Sequence, residues 1–348
     1  MNEQEFLNAI RALAGGSSPD TDMAELLYRH HCFYLLSRLE HTPYAQTLAM
    51  ENMLNRIAVK ERYKACRSLF EQIAFPYAVI KGAVLSHMAY GDPFVRHSGD
   101  IDLLIRRKDA DDLKALLLSL GFVQGRITDG GIVPFSRREI LFQTTASHQT
   151  APYVKPTGNR LCPYINVDVN TDILWGESEE KADMDAVLAN TERTVLLDVP
   201  FPKLTSEMEL ISLCLHHYKD MHSLYLLSGG SLRLSLFCDL YYYLRNVRPN
   251  AEKLRVLAHT LRVGQYVYAC LYDTQTIFDD PLLVPYLDAL ESERDASLLD
   301  TLGLSEKEKK PWGLTLPERL LHPDLPHYVE SLLTEEEKQK VAINRQYM

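Results

Sequence analysis

The spacing of hydrophobic residues changes twice along the chain and divides it into three stretches. Over 1–75, apolar residues recur every three or four positions, which predicts helices, the longest at about 47–73. Over 76–204, apolar runs of strand length alternate with helical periods, and over 205–348 helical spacing returns. We therefore expect an N-terminal helical region, a central mixed domain and a C-terminal helical domain with these boundaries. A loop near the start would end at Asp20 or Thr21, which would cap the next helix.

The central stretch predicts a sheet with helices packed on it. Its strand-like segments are short, apolar and rich in β-branched residues. The predicted strands are 77–80, 101–105, 140–144 and 164–169. The predicted helices are 83–90 and 109–120, the second closed by Gly121. The fold class is therefore α+β, with a small mixed β-sheet core and helices, flanked by N-terminal and C-terminal helical regions.

The composition is that of an ordinary globular protein. Hydrophobic residues make up 46% and charged residues 24% of the 348 positions. No apolar run approaches the roughly 18 residues that cross a bilayer, so no membrane partner is expected. The first residues contain no basic segment followed by an apolar one. A signal peptide is therefore not predicted, and a cytoplasmic location is expected.

The charge balance is acidic, with 37 basic against 47 acidic residues and a net charge of −10. Proteins that bind long nucleic acids usually show the opposite balance, because binding releases counterions from phosphates. Two short basic clusters, Lys60-Arg62-Lys64-Arg67 and Arg106-Arg107-Lys108, are interpreted as a solvated helix face and a strand end. Nucleic acid is therefore not an expected partner, apart from a tRNA end. The sequence does not indicate an oligomeric state.

A pair of aspartates stands at the start of the second predicted strand. Asp100 and Asp102 are two residues apart, and residues two apart on a strand point to the same face. Two carboxylates beside a buried sheet repel each other unless a cation lies between them. Magnesium takes oxygen ligands and leaves positions for substrate phosphates. The pair therefore predicts a magnesium site, and the alternative is a pair of exposed aspartates at a strand start.

A second strand with acidic residues supports this interpretation. Between 164 and 172, polar and apolar residues alternate, which is typical of a strand with one packed face and one face that lines a site. The polar face would carry Asn166, Asp168, Asn170 and Asp172. The apolar face would carry Ile165, Val167 and Val169. The alternative for this segment is a half-solvated edge strand.

The order of these segments resembles the nucleotidyltransferase superfamily of the DNA polymerase beta type. The segments concerned are K-G at Lys81-Gly82, a short helix, R-x-x-x-D-I-D-L-L-I from Arg96, an amphipathic helix ending in Gly-Phe, and a strand with a third aspartate. The resemblance is greatest to a bacterial branch of largely uncharacterised nucleotidyltransferases. L-C-x-H at 213–216 and L-R-L-x-x-x-x-D-L at 232–240 are similar to its helical domain. The resemblance covers 76 to about 245.

The resemblance implies a catalytic role for three carboxylates. Asp100 and Asp102 would hold two Mg²⁺ ions, with Asp168 as third ligand and as a base for the acceptor proton. In such enzymes one ion neutralises phosphate charge, and the other activates the acceptor hydroxyl for attack at the α-phosphorus.

The resemblance also implies a phosphate-binding role for four further residues. Lys81 and Arg96 would supply positive charge, and Ser98 would donate a hydrogen bond. Gly82 would let the backbone approach the triphosphate at a helix N-terminus.

The activity that the resemblance implies is a magnesium-dependent transfer of a nucleoside monophosphate from an NTP, with ATP expected, to a hydroxyl or similar acceptor. The acceptor would be a small molecule or a protein, and pyrophosphate would be released. Ala83 stands where many members have serine, and Asn170 where the branch often has histidine. The alternative is a catalytically weak nucleotide- or protein-binding module, such as a toxin–antitoxin partner. The sequence assigns no role to His216, His217 or Asp239.

Overall fold

The computed structural model describes residues 1–19, 21–39, 41–176 and 178–347. The N-terminal residues are helical, as predicted. The helices are α1 (Glu3–Gly15), α2 (Ala24–Arg29), α3 (Phe33–Leu36) and α4 (Ala45–Gln72). Met23 precedes α2 without a side-chain cap, so Thr21 does not cap it, and Asp20 lies outside the described residues.

The central stretch forms most of the strands. In chain order the elements are β1 (Tyr77–Ile80), α5 (Gly82–Tyr90), β2 (Ile101–Ile105), α6 (Ala110–Ser119), β3 (Val123–Thr128), β4 (Gly131–Pro134), α7 (Arg137–Ala146), β5 (Tyr153–Asn159), β6 (Cys162–Asn170), α8 (Met184–Ala189), β7 (Thr191–Leu196) and β8 (Val199–Leu204). This arrangement confirms the α+β class with a mixed sheet.

A six-stranded sheet forms the centre of this stretch, in the order β1-β2-β6-β5-β3-β4. β2 is antiparallel to β1 and parallel to β6, which lies on its other side. β7 and β8 form a separate hairpin. The order brings β2 and β6 together although an excursion of three strands and two helices separates them along the chain.

One face of the sheet carries the core. Alternate residues of β2 and β6 join one apolar cluster, because successive side chains of a strand point to opposite faces. The same cluster contains a stripe of α4 residues at helical spacing. The stripe consists of Val59, Tyr63, Cys66 and Phe70, with Ile73 half-buried beside it. α4 therefore packs on the apolar face and leaves the polar residues of both strands on the other face.

The C-terminal stretch is helical, as predicted, with one short pair of strands. Its elements are α9 (Ser206–His222), α10 (Leu224–Leu227), α11 (Leu234–Val247), α12 (Ala251–Thr260), α13 (Gly264–Phe278), α14 (Val284–Leu290), β9 (Thr301–Leu302), β10 (Lys310–Pro311), α15 (Leu316–Leu321), α16 (Leu325–Leu332) and α17 (Glu335–Tyr347). No helix among the described residues has the length and hydropathy that a bilayer span requires.

The residues group into two compact units. One contains 1–48 and 210–348, and the other contains 49–209. The division into regions at 75/76 and 204/205 stays a prediction. The second unit holds all of the catalytic and phosphate-binding residues that the sequence singles out.

One predicted strand is wrong. Residues 140–144 lie in the middle of α7 and are helical. A short apolar run has no periodicity that separates a strand from a helix. The deciding signal stands just before it, because Ser136 and Glu139 form a capping box in which each side chain accepts the other's backbone N–H.

Candidate active site

The three predicted aspartates lie close together on or beside two inner strands of the sheet. Asp102 is in β2 and Asp168 in β6, and the two are register partners on these parallel strands. Neighbouring strands are about 4.8 Å apart, and paired residues share a face. Asp100 immediately precedes β2, and its charge interacts with those of Asp102 and Asp168, so it lies close to both. The fold therefore brings the first two carboxylates to the third.

The electrostatics of these carboxylates are those of like charges held close together. Burial and the charge of Asp102 raise the pKa of Asp100 to about 6, while Lys81 and Arg62 oppose the rise. Burial and the charges of Asp100 and Asp102 raise the pKa of Asp168 to about 7. One oxygen of Asp168, Oδ1, is buried and has no hydrogen-bond partner among the described residues. The cluster therefore has more negative charge than its surroundings compensate.

Lys81 supplies a cation to this cluster. Its Nζ lies 3.4 Å from Oδ1 of Asp102, and both side chains are buried. The amide of Asn170 also donates to that oxygen, at 3.1 Å, and Gln149 in turn donates to Asn170 at 2.9 Å. Asn170 thus orients Asp102 from the end of β6. The predicted phosphate-binding lysine is therefore in contact with a predicted metal ligand.

Gly82 and Ser98 lie against each other at the turn after β1. Gly82 has φ +46°, a left-handed conformation that favours glycine, and it opens α5. A Cβ at this position would lie 3.4 Å from Oγ of Ser98. The turn therefore brings the backbone of Gly82 and the hydroxyl of Ser98 close together.

Helix α4 holds the loop that carries Arg96, Ser98 and Asp100. Arg62 donates to the carbonyl of Ser98 at 2.5 Å, and Asn55 donates to the carbonyls of Phe94 at 2.8 Å and Arg96 at 3.3 Å. Arg96 and Arg62 each lower the pKa of Asp100 by their positive charge. One face of a single helix thus fixes the loop.

Arg62 is a site residue that the sequence interpretation missed. The sequence predicts a solvated helix face for this basic cluster. Lys60, Lys64 and Arg67 are exposed, as predicted, but Arg62 is only 9% exposed. The signal was its position, three residues after Val59 and four before Cys66 in the buried stripe. An arginine at that spacing faces the core side of the helix.

Asp172 does not belong to the site. β6 ends at Asn170, so the alternation that would align Asp172 with Asp168 stops before it. Oδ1 of Asp172 instead accepts the N–H groups of Leu174 at 2.9 Å and Ala182 at 3.4 Å. Asp172 therefore stabilises the turn that follows the strand.

The donor set fits a divalent cation in its chemistry. Three carboxylates lie close together, two of them have raised pKa values, and one buried oxygen has no partner among the described residues. These are the oxygen ligands that magnesium prefers. In the described part of the chain, however, no group of three His, Cys, Asp or Glu side chains is already placed to hold a metal ion.

Comparison with known proteins gives one family. The model of a family described as uncharacterised nucleotidyltransferase matches residues 42–279, more than half of the chain. Among solved structures, the chain is similar to an antigenic nucleotidyltransferase-like protein from Paracoccidioides brasiliensis, at 17% identity and a TM-score of 0.36, over 70% of this chain and 94% of that one. No curated protein matches the sequence. The matched residues include every residue of the site described above.

Proposed function

This chain belongs to the family of uncharacterised nucleotidyltransferases, and we propose on that premise that it transfers a nucleoside monophosphate from an NTP to an acceptor hydroxyl or similar group, releasing pyrophosphate. The observation that supports the proposal is the register of β2 and β6, which pairs Asp102 with Asp168, with Asp100 close enough for its charge to act on both. The acceptor that we propose is a small molecule or a protein, and ATP is the nucleotide that we expect.

Asp100, Asp102 and Asp168 are the residues that would hold Mg²⁺, with two ions expected. Bound magnesium would neutralise phosphate charge and lower the pKa of the acceptor hydroxyl. Asp168 has a further role in this proposal. It would also take the proton of the acceptor hydroxyl as a general base.

The phosphate-binding residues surround the same face. In the proposed reaction Lys81 would supply its positive charge to the triphosphate, and Asp102, which it contacts in this structure, would be one of the carboxylates that hold Mg²⁺. Arg96 adds positive charge from the loop that α4 holds, and Ser98 donates its hydroxyl. The first amides of α5, beginning at Gly82, carry the partial positive charge of a helix N-terminus.

A second candidate function is a nucleotide- or protein-binding module with weak catalysis, like a toxin–antitoxin partner. Ala83 favours it, because this residue is buried in the apolar core and offers the triphosphate no hydroxyl where many relatives in the superfamily have serine. Asp168 favours the enzyme, since binding of a triphosphate with Mg²⁺ would need only Asp100 and Asp102, whereas transfer would also need the third carboxylate.

The proposed function is tested by incubating the protein with Mg²⁺ and each of the four NTPs labelled at the α-phosphate. We expect release of pyrophosphate and label on an acceptor, which can be the protein itself or a metabolite from a cell extract. The same protein carrying Asp100→Asn serves as the control. Binding of a triphosphate without pyrophosphate release in any mixture would contradict the enzyme and support the binding module.

As pH rises, the metal-free protein should become less stable, while the stabilisation that Mg²⁺ provides should become larger. The pKa values of Asp100 and Asp168 are raised in the folded protein, to about 6 and about 7. Between about pH 4 and pH 7 the folded state therefore binds more protons than the unfolded state, and the contribution of these groups to stability is lost as pH rises. Cations bind the deprotonated carboxylates, so stabilisation by Mg²⁺ should increase over the same range.

Thermal unfolding with Mg²⁺ or with EDTA, from about pH 5 to about pH 8, measures this effect. The increase in Tm that Mg²⁺ causes should grow with pH and should disappear when Asp100 and Asp168 are both replaced by Asn. A cation effect that is the same at both ends of the range, or that persists in the double variant, would contradict the assignment.

A further inference from the structure

A fourth carboxylate is buried behind the Lys81–Gly82 turn. Glu209 lies in the first turn of α9 and is only 1% exposed. Oε1 accepts the backbone N–H of Lys81 at 3.4 Å, while Oε2 is buried without a hydrogen-bond partner among the described residues. Burial raises the pKa of this carboxyl to about 7. An apolar side chain of the same size would pack there without the cost of desolvating a carboxylate.

The backbone that Glu209 contacts has an unusual conformation. Lys81 has φ +55° and ψ −147°, a backbone conformation that residues other than glycine rarely adopt. Such a conformation persists only where surrounding contacts fix it. Lys81 has a contact at each end: its N–H donates to Glu209, and its Nζ lies 3.4 Å from Asp102. The N–H contact constrains the backbone, and the Nζ contact depends on where that backbone directs the side chain.

This backbone conformation determines where the Lys81 side chain and the start of α5 lie. It ends β1 and begins α5 within a single residue, so that the Lys81 side chain reaches Asp102 and Gly82 lies against Ser98. A different peptide orientation at Lys81 would move its ammonium group and the first amides of α5 together. Both belong to the phosphate-binding group proposed above.

We propose that Glu209 is a positioning residue, which holds the Lys81–Gly82 turn so that Lys81 and the first amides of α5 face the carboxylates and the triphosphate. The role in turnover rests on the proposed function, whereas the role in fixing the turn does not. Glu209 acts through the backbone of Lys81. This role requires a side-chain oxygen that reaches far enough from the helix to accept the N–H of Lys81. A negative charge is not required.

This distinction predicts an order among variants. Glu209→Gln keeps an acceptor at the same distance and should retain most of the wild-type kcat/KM for ATP, measured by pyrophosphate release with Mg²⁺. Glu209→Leu has no acceptor, and Glu209→Asp withdraws its acceptor by one methylene, so both should lose about 10²-fold, as misplaced catalytic groups do. Glu207→Leu, in the same helical turn, is the matched control and should stay near wild type.

Hydrogen exchange tests the positioning role without any substrate. Exchange in peptides that cover 77–86 should rise in E209L and E209D and stay at the wild-type level in E209Q and E207L. The proposal is overturned if E209L exchanges like wild type there, or if E209D is active and E209Q inactive, which would make charge the requirement. If E209L fails to fold, E209D against E209Q decides. A wild-type protein that consumes no NTP refutes the proposed function, and the exchange pattern then still decides the role of Glu209.

Discussion

Asparagine at either position of the aspartate pair is expected to reduce nucleotidyl transfer by about 10³-fold or more, because several kcal/mol of charge stabilisation would be lost and each 1.4 kcal/mol is a factor of ten. The two variants should differ in stability. Burial and the charge of Asp102 raise the pKa of Asp100, so Asp100→Asn should raise the Tm of the metal-free protein. Asp102 accepts from Lys81 and Asn170, so Asp102→Asn should destabilise it by about 1–3 kcal/mol.

Transfer measured as pyrophosphate release and unfolding measured in EDTA check these two expectations separately. Lys108→Met is a suitable control, since Lys108 is an exposed residue of the same unit away from the carboxylates. Equal losses of stability in Asp100→Asn and Asp102→Asn would mean that both side chains serve the fold. Retained transfer in either variant would remove that residue from the proposed metal site.

The strands of the site could be predicted from the sequence because they are buried and short. β1 and β2 were predicted at their observed bounds, and the predicted strand at 164–169 lies inside β6. Alternation assigned Asp168 to the polar face, which needs no knowledge of the neighbouring strand. Its pairing with Asp102 depends on the tertiary structure, which strand alternation does not predict. The resemblance to a family indicated that the two aspartates lie in one site.

The contacts that complete the site could not be predicted, because they join segments that are distant in the sequence. Arg62 looks like part of a charged helix face until α4 is packed on the sheet and its guanidinium reaches the carbonyl of Ser98. The left-handed backbone of Lys81 carries no signal, since lysine is not a residue that favours it. The end of β6 at Asn170, which excludes Asp172, follows from a turn whose backbone N–H groups Asp172 itself accepts.

Removal of Asp168 should separate binding of the nucleotide from its transfer. Asp100 and Asp102 would still hold one ion, so Asp168→Ala should bind ATP with Mg²⁺ as the wild type does. Transfer should fall by about 10²-fold or more. The ion beside the acceptor would lose a ligand, and the acceptor hydroxyl would lose the group that takes its proton. Stability should not fall, because burial and the charges of Asp100 and Asp102 already disfavour this carboxylate in the folded protein.

Asp172→Asn is the matched control for this variant. It changes a buried aspartate near the end of the same strand, and its amide oxygen can still accept from Leu174 and Ala182. Calorimetry with ATP and Mg²⁺ and an assay of pyrophosphate release should show normal binding and transfer in Asp172→Asn, and normal binding without transfer in Asp168→Ala. If Asp168→Ala turned over at the wild-type rate, the site would hold a single ion on Asp100 and Asp102, and the acceptor would need another base. If Asp168→Ala lost ATP binding, Asp168 would be required to bind the nucleotide. Asp100, Asp102 and Asp168 would then form a single nucleotide-binding site, without a separate site for the acceptor.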